Sequence, residues 1–399
     1  MADNFTTRIQ QVALKQEATP GTAETLTAAD AKIRPYADAE QTPDFNRFTN
    51  DEVSDDLGEA PDFVSGKKGS ISVGATIVGS GAVGTAPFLG RYLIACGCKE
   101  EAVKTITIGA PSGGDNEFAE GEAWTSSAKS GIVEQTISGA GTFRYILDDG
   151  SADLVDTDVI TVAGDSDVAT ASGSAGDYGT RYTLRSQAHE PTTIARYVAN
   201  YQDTASQDFI TTLRGALGNA VIQANAHDVL RLQCELSGVW HSAAAGSMLT
   251  GITYESAANS ALPKFINSNI QLDGVLVTAP AAFTLDFGNQ VELDADPTTV
   301  GGAEGYDFAR ILARQPTISI DPRRIPPGTF DDLAKLGDGS EMIFSFVSSG
   351  SAGQIIEVVA NVQMRQWTEA ERANLQTANY VLNVVRRSVK DTDLKIYFK

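Results

Sequence analysis

Three cysteines, three histidines and one glycine run are the first places to look for chemistry in this 399-residue chain. Cys96 and Cys98 form a CxC pair, too close to staple a fold and not the CxxC of a zinc or redox site. A thiol nucleophile would need a histidine and an orienting acid beside it. His189, His227 and His241 are scattered, with no metal spacing to the cysteines. His227, next to Asp228, reads as a strand-edge residue before it reads as a general base. The run at 79–84, GSGAVG, matches the GxGxxG of a dinucleotide-binding strand–turn–helix. Its context does not fit. The strand before it, 69–78 (GSISVGATIV), alternates, whereas a buried parallel strand is apolar throughout. The helix expected at 86–96 begins after the third glycine, so its N-terminus is not over a pyrophosphate. The segment at 105–108 ends with no acid for a ribose. The run is therefore read as a turn. Asp148, Asp149, Asp153, Asp156 and Asp158 suggest calcium by composition, but the spacing and closing glutamate of an EF-hand are missing. No nucleophile elbow, Walker loop or HExxH occurs. The expectation is a non-enzyme without cofactor or metal.

The elements that would position such residues are mostly strands. The clearest is 228–240, DVLRLQCELSGVW. Leu230, Leu232, Cys234 and Leu236 point one way and Arg231, Gln233, Glu235 and Ser237 the other, giving one dry and one polar face. Further strands are expected at 9–15, 142–147, 158–162, 193–200, 210–222, 316–320, 342–347, 355–362, 380–386 and 394–398, with a second helix at 330–336. A long acidic stretch, 36–66, reads as a loop or as an arm that orders on a neighbouring subunit. It carries Asp51, Glu52, Asp55, Asp56 and Glu59. Residues 240–263 read as a small-residue connector. The order strand–helix–strands occurs once in 70–239 and again in 316–398, an order-level repeat with little residue identity.

Composition narrows the class. Apolar residues make up 42%, enough for a sizeable core, and 30 Lys+Arg against 51 Asp+Glu give a net charge of −21. Such a charge argues against simple electrostatic attachment to nucleic acid or anionic lipid. The start, MADNFTTRIQQ, has no apolar signal region. The most apolar window, 83–98, is broken by Arg91 and several glycines, so no membrane span is expected. The three cysteines are read as reduced, in a protein assembled in the cytoplasm.

Several stretches together resemble the tail tube (major tail) proteins of tailed bacteriophages. They are LKQEATPGTAETLTAADA, GSISVGATIVGSGAVGTAPFLGRYLIACG, TRYTLRSQAHEPTTIARY, LRGALGNAVIQANAHDVLRLQCELSGVW and FARILARQPTISID. The likeness covers most of 10–100 and 181–399. Residues 109–180 depart from it and resemble the surface insertions some tube proteins carry.

The resemblance implies a mainly β fold of tube-type sandwich or barrel domains with short flanking helices. Residues 1–108 and 181–250 would form a first tube domain, 109–180 a small β-rich insertion and 251–399 a second, tandem tube-like domain. It implies a virion protein, assembled in the host cytoplasm, that stacks as rings into a hollow tube for genome DNA. The partners implied are other copies of itself, the tape measure protein and other tail proteins, with DNA passing without specific binding. About six tube domains per ring are expected, so two per chain would make a trimer a pseudo-hexamer; one per chain would require a hexamer. Arg231, Gln233 and Glu235 are the candidate lumen-facing residues, and Asp51, Glu52, Asp55, Asp56 and Glu59 the candidate inter-ring arm. Other readings open at this point are a tail terminator or baseplate hub, a β-rich surface adhesin, and a nucleotide enzyme built on 79–84.

Overall fold

The computed structural model describes residues 5–50, 61–163, 166–200, 206–298, 304–387 and 389–399. It is mainly β, with short helices, and its strand pairings are antiparallel.

The first part contributes β1 (Phe5–Gln16), β2 (Glu40–Phe48), β3 (Phe63–Thr76) and α1 (Gly90–Ala95). After β4 (Cys98–Ile108) come β5 (Ala123–Ser126), β6 (Lys129–Val133), β7 (Gly141–Leu147), β8 (Val159–Val162) and β9 (Val168–Leu184). β10 (Thr192–Asn200), β11 (Asp208–Asn225) and β12 (Arg231–Gly246) follow. The rest consists of β13 (Lys264–Leu272), β14 (Val275–Leu276), β15 (Ala282–Asp286), β16 (Asn289–Ala295), β17 (Tyr306–Arg314) and β18 (Thr317–Ile320). α2 (Asp332–Asp338), β19 (Glu341–Ser349), β20 (Ile356–Arg372), β21 (Leu375–Val384) and β22 (Leu394–Phe398) complete it.

The pairings sort these strands into two sheets of like order. In the first, the neighbours run β1-β10-β11-β12-β3-β2. In the second they run β13-β19-β20-β21-β18-β15. Read along the chain, each sheet is built the same way. Two strands come first, then a strand that leads to a helix, then three more. The last strand pairs back onto the one before the helix. α1 packs near β11 and α2 near β20, the corresponding strands. β21 and β22 together take the place of β12, since both lie along the same edge of β20.

The two sheets are joined. β15 lies along 221–225 of β11, so β3-β12-β11-β15-β18-β21-β20 is one continuous sheet. Its other end curls back. A bridge between Val229 and Lys264, with Leu230 N donating to Pro263 O, brings β13 to the entrance of β12. One apolar core lies inside, drawing on Leu14, Ile71, Tyr92, Leu232 and Leu236 from the first part and on Phe283, Phe344, Val358, Leu382 and Ile396 from the second. Phe283 stacks between Phe344 and Phe346 at 6.0 and 4.6 Å, just where the sheets join. Fully burying such rings stabilises by about 1.5–3 kcal/mol each.

The segment between α1 and β10 forms a second body. β4 pairs with β7, β7 with β6, β6 with β5, β5 with β8, β8 with β9, and β9 with β4, which closes a small barrel. Its separate core includes Ile106, Phe118, Trp124, Phe143, Tyr145 and Ile160. Among the described residues, closure leaves this barrel no free strand edge of its own.

Several boundaries differ from the sequence expectation. The 36–66 stretch is not a plain loop, because β2 and the start of β3 lie within it. Pro43 and the polar residues of β2 hide that strand, which is exposed along most of its length. The connector at 240–263 starts late, because β12 continues through small residues to Gly246. The first helix is only Gly90–Ala95, and the second begins at Asp332, where the Asp331 carboxylate accepts from Ala334 N at 3.0 Å.

Candidate functional site

The alternation of β12 places Arg231, Gln233 and Glu235 on an exposed face and turns Leu232, Cys234 and Leu236 into the core. Register extends that face across both sheets. Gln233 lies opposite Val221, Val221 opposite Asp286, Asp286 opposite Thr317, Thr317 opposite Asn383, and Asn383 opposite Gln363. The neighbouring row runs Arg231, Gln223, Thr284, Ser319, Val381. The side chains are short or uncharged for the most part. Arg231 is the one cation of these two rows, and it is tied to Asp228 at 2.9 Å and lies 5.4 Å over the Tyr36 ring. The Asp286 carboxylate accepts from Asn219 Nδ2 at 2.8 Å.

One end of the face is covered. The β16–β17 hairpin folds over β11 and β12, and Leu217 is buried there with Ala309 and Ile311 against Val291 and Leu293. This hairpin extends the β15–β18 pair, as 43–48 and 63–69 extend the β2–β3 pair. The tip of the first pair is bare by contrast: Phe48 and Phe63 are each 58% exposed, and Val64 is exposed beside them. The far end of the β16–β17 hairpin nevertheless reaches the β2–β3 pair, with Asn46 Nδ2 donating to Tyr306 OH at 2.5 Å. Asp51, Glu52, Asp55, Asp56 and Glu59, the expected arm residues, lie outside the described residues. The exposed phenylalanines at the arm's base were missed in the sequence; an aromatic at each end of an acidic stretch was the available signal.

The cysteines, the glycine run and the barrel aspartates have structural jobs. All three cysteines are buried free thiols. Burial, with a hydrogen bond to Cys234, pushes the Cys96 thiol well up, and burial pushes Cys98 up too. Neither is a thiolate at neutral pH. In the glycine run, Gly79 N donates to Gln354 Oε1 at 2.7 Å while Gln354 Nε2 donates to Gly79 O at 2.9 Å, and Gly81 N donates to Gly353 O at 3.2 Å. A Cβ on Gly79 would stand 2.0 Å from Gly353 O, so glycine is required by close backbone packing. Those amides are spent on the 350–354 turn. Ahead of α1, the Glu255 carboxylate accepts from Phe88 N at 2.9 and 3.0 Å. The barrel aspartates are dispersed: Asp158 pairs with Lys129 at 2.6 Å, Asp153 with Lys104 at 3.4 Å, and Asp156 accepts from Gly173 N. Among the described residues no group of three His, Cys, Asp or Glu is placed to share a metal ion.

A buried ion cluster fixes the barrel to the body. Glu134, 1% exposed, accepts from Arg181 Nη1, from Tyr397 OH and from Lys395 Nζ at 3.1 Å. Glu120 pairs with Lys395 at 2.8 Å and with Arg387 at 2.9 Å. Arg181 also pairs with Glu101. Burial alone would raise the Glu101 carboxyl, but the Arg181 and Lys99 charges outweigh it and hold it below the ordinary value. Among the described residues, no helix is long and apolar enough to cross a membrane. No protein-family model matches the chain, and no curated protein matches it either.

Proposed function

We propose that this chain is a structural subunit that polymerises as stacked rings into a hollow tube, the tail tube of a tailed bacteriophage, through which genome DNA passes. The observation that carries the reading is the continuous sheet. Two sheets of the same strand order are fused edge to edge, with a shared core on one side and a polar, cation-poor face on the other. A wall of that kind suits passing DNA, because phosphate–cation contacts are what make DNA stick. Arg231, Gln233 and Glu235 would line it. The fused sheets would be two tandem tube units, so three chains would close a pseudo-sixfold ring, joined to the tape measure protein and other tail proteins at its ends. The barrel built from 103–180 would stand on the outside. The work is mechanical and calls for no bond chemistry, cofactor or metal, and the virion is where the protein would reside.

Negative-stain images of the purified chain, with mass per unit length, test this. Hollow polymers with three chains per ring repeat are expected. A chain that stays monomeric at all concentrations and salts would refute the tube reading, and six chains per repeat would refute the tandem count.

A further inference from the structure

One cavity is opposite in charge to the chain that encloses it. It has a volume of about 290 Å³ and lies between the run 32–36, the end of β3, the approach to α1 and the segment 255–262. Its walls are pinned. Glu255 N donates to Lys32 O at 3.0 Å and Tyr36 N donates to Gly74 O at 2.7 Å, while Pro35 bridges to Ala75. The Tyr36 and Thr76 hydroxyls share a hydrogen bond of 2.7 Å, and the Arg231 guanidinium lies over the Tyr36 ring. These bonds preform the space, as small-ligand sites require. Most of its lining is aliphatic, supplied by Ile33, Pro35, Val78, Leu89 and Leu262.

Three charged side chains border this apolar space, Lys32, Arg34 and Glu255, for a local charge of +1 in a chain of −21. The Glu255 carboxylate is committed, since its two oxygens accept from Phe88 N at 2.9 and 3.0 Å. Lys32 acts on it only through space. Among the described residues neither Lys32 nor Arg34 forms an ion pair. The Arg34 guanidinium lies 5.0 Å from the centre of the Tyr254 ring, a contact that uses its face and leaves its in-plane N–H donors open.

We propose that this cavity binds a small aliphatic carboxylate, its chain against Ile33, Val78, Leu89 and Leu262 and its head between Lys32 and Arg34. Two uncommitted cations at an apolar cavity suit an anion with a hydrocarbon body, and a carboxylate accepts from an arginine fork and an ammonium together. The volume is at the lower end of the roughly 300–1,000 Å³ of small-ligand pockets, so the chain is short. A nucleobase fits less well, because the Tyr36 and Thr76 hydroxyls already satisfy each other and its polar edge would be left unpaired. The site is built within one chain and does not depend on how copies assemble.

Equilibrium dialysis of the full chain against radiolabelled octanoate tests this in any state of assembly. One saturable site per chain is expected. Unlabelled octanamide, with the same body and a neutral head, should compete about tenfold or more weakly, and octylammonium more weakly still. Lys32→Gln with Arg34→Gln should weaken octanoate to the level of octanamide and leave octanamide unchanged. Ala257→Phe, which fills the space from the 255–262 side, should abolish uptake of octanoate. Unchanged melting of both variants shows that they fold. No saturable uptake below about 1 mM overturns the site. Uptake that survives Ala257→Phe places binding elsewhere and overturns it too. Equal affinity for octanoate and octanamide, or octanoate binding unchanged in the doubly substituted chain, overturns the anion assignment.

Discussion

The two six-stranded sheets follow one plan and differ in where it is interrupted. The first opens between α1 and β10 to admit a whole barrel on the ends of β4 and β9. The second closes that interval with a short turn from α2 to β19 and instead breaks its last strand into β21 and β22. Their hairpins differ too: β16–β17 is folded down onto its neighbour sheet, and the β2–β3 tip stands bare. The plan is carried by the core-facing rows, Ile222–Leu232–Ala75 in one sheet and Trp367–Tyr380–Ile320 in the other. Additions enter where a loop already leaves the core, since lengthening a loop costs little closure entropy.

The comparison is broken most severely at the seam. Phe283→Ala removes a fully buried ring from between Phe344 and Phe346 and should cost about 3–5 kcal/mol. Because both sheets share the core, calorimetry should show them melting together at a lower temperature. Separate melting of 264–399 would mean the two sheets are independent units. Next in size is the clamp. Glu134→Ala leaves Arg181 and Lys395 buried and short of a counter-charge, at a cost of about 3–5 kcal/mol. Hydrogen exchange should then quicken at the barrel–body junction while the barrel's own core amides stay protected.

The hairpins give a sharper contrast with smaller effects. Ile311→Ala, on the covered tip, should destabilise the unassembled chain by about 1–3 kcal/mol. Phe48→Ser, on the bare tip, should leave its melting within about 0.5 kcal/mol of the parent. Equal effects would erase the distinction between a folded-down hairpin and a free one. The smallest effect is on pH dependence. Glu101 has a depressed folded-state value, so its contribution is present above the unfolded carboxyl value of about 4.3 and fades as pH falls through the folded value. Melting followed from pH 7 down should show that acid loss, and Glu101→Gln should flatten it.

The sequence disclosed different parts of this to different degrees. The dry and polar faces of 231–236 were legible because alternation is local. The first helix was legible from punctuation, with Pro87 suited to its first turn and Gly97 to its stop. Which strands pair was not legible, because β3 meets β12 across the whole barrel and β15 meets β11 across a sheet boundary. β2 was passed over because it is exposed along most of its length and gives no period-two signal. β16 and β17 were missed because their apolar residues face a neighbouring sheet and not the main core. The buried cluster around Glu134 joins residues far apart in the chain, and no local pattern announces it.

That cluster has a consequence for how the particle tumbles. A barrel tethered only through β4 and β9 would wobble as a pendant, and its relaxation would be faster than that of the body. Here Arg181, Lys395, Arg387 and Tyr397 grip Glu120 and Glu134 from the body side. The barrel is an outrigger bolted through two further carboxylates, Glu120 and Glu134. Its amides should relax with the correlation time of the entire molecule, and in an averaged image it should be as sharp as the strands that carry it.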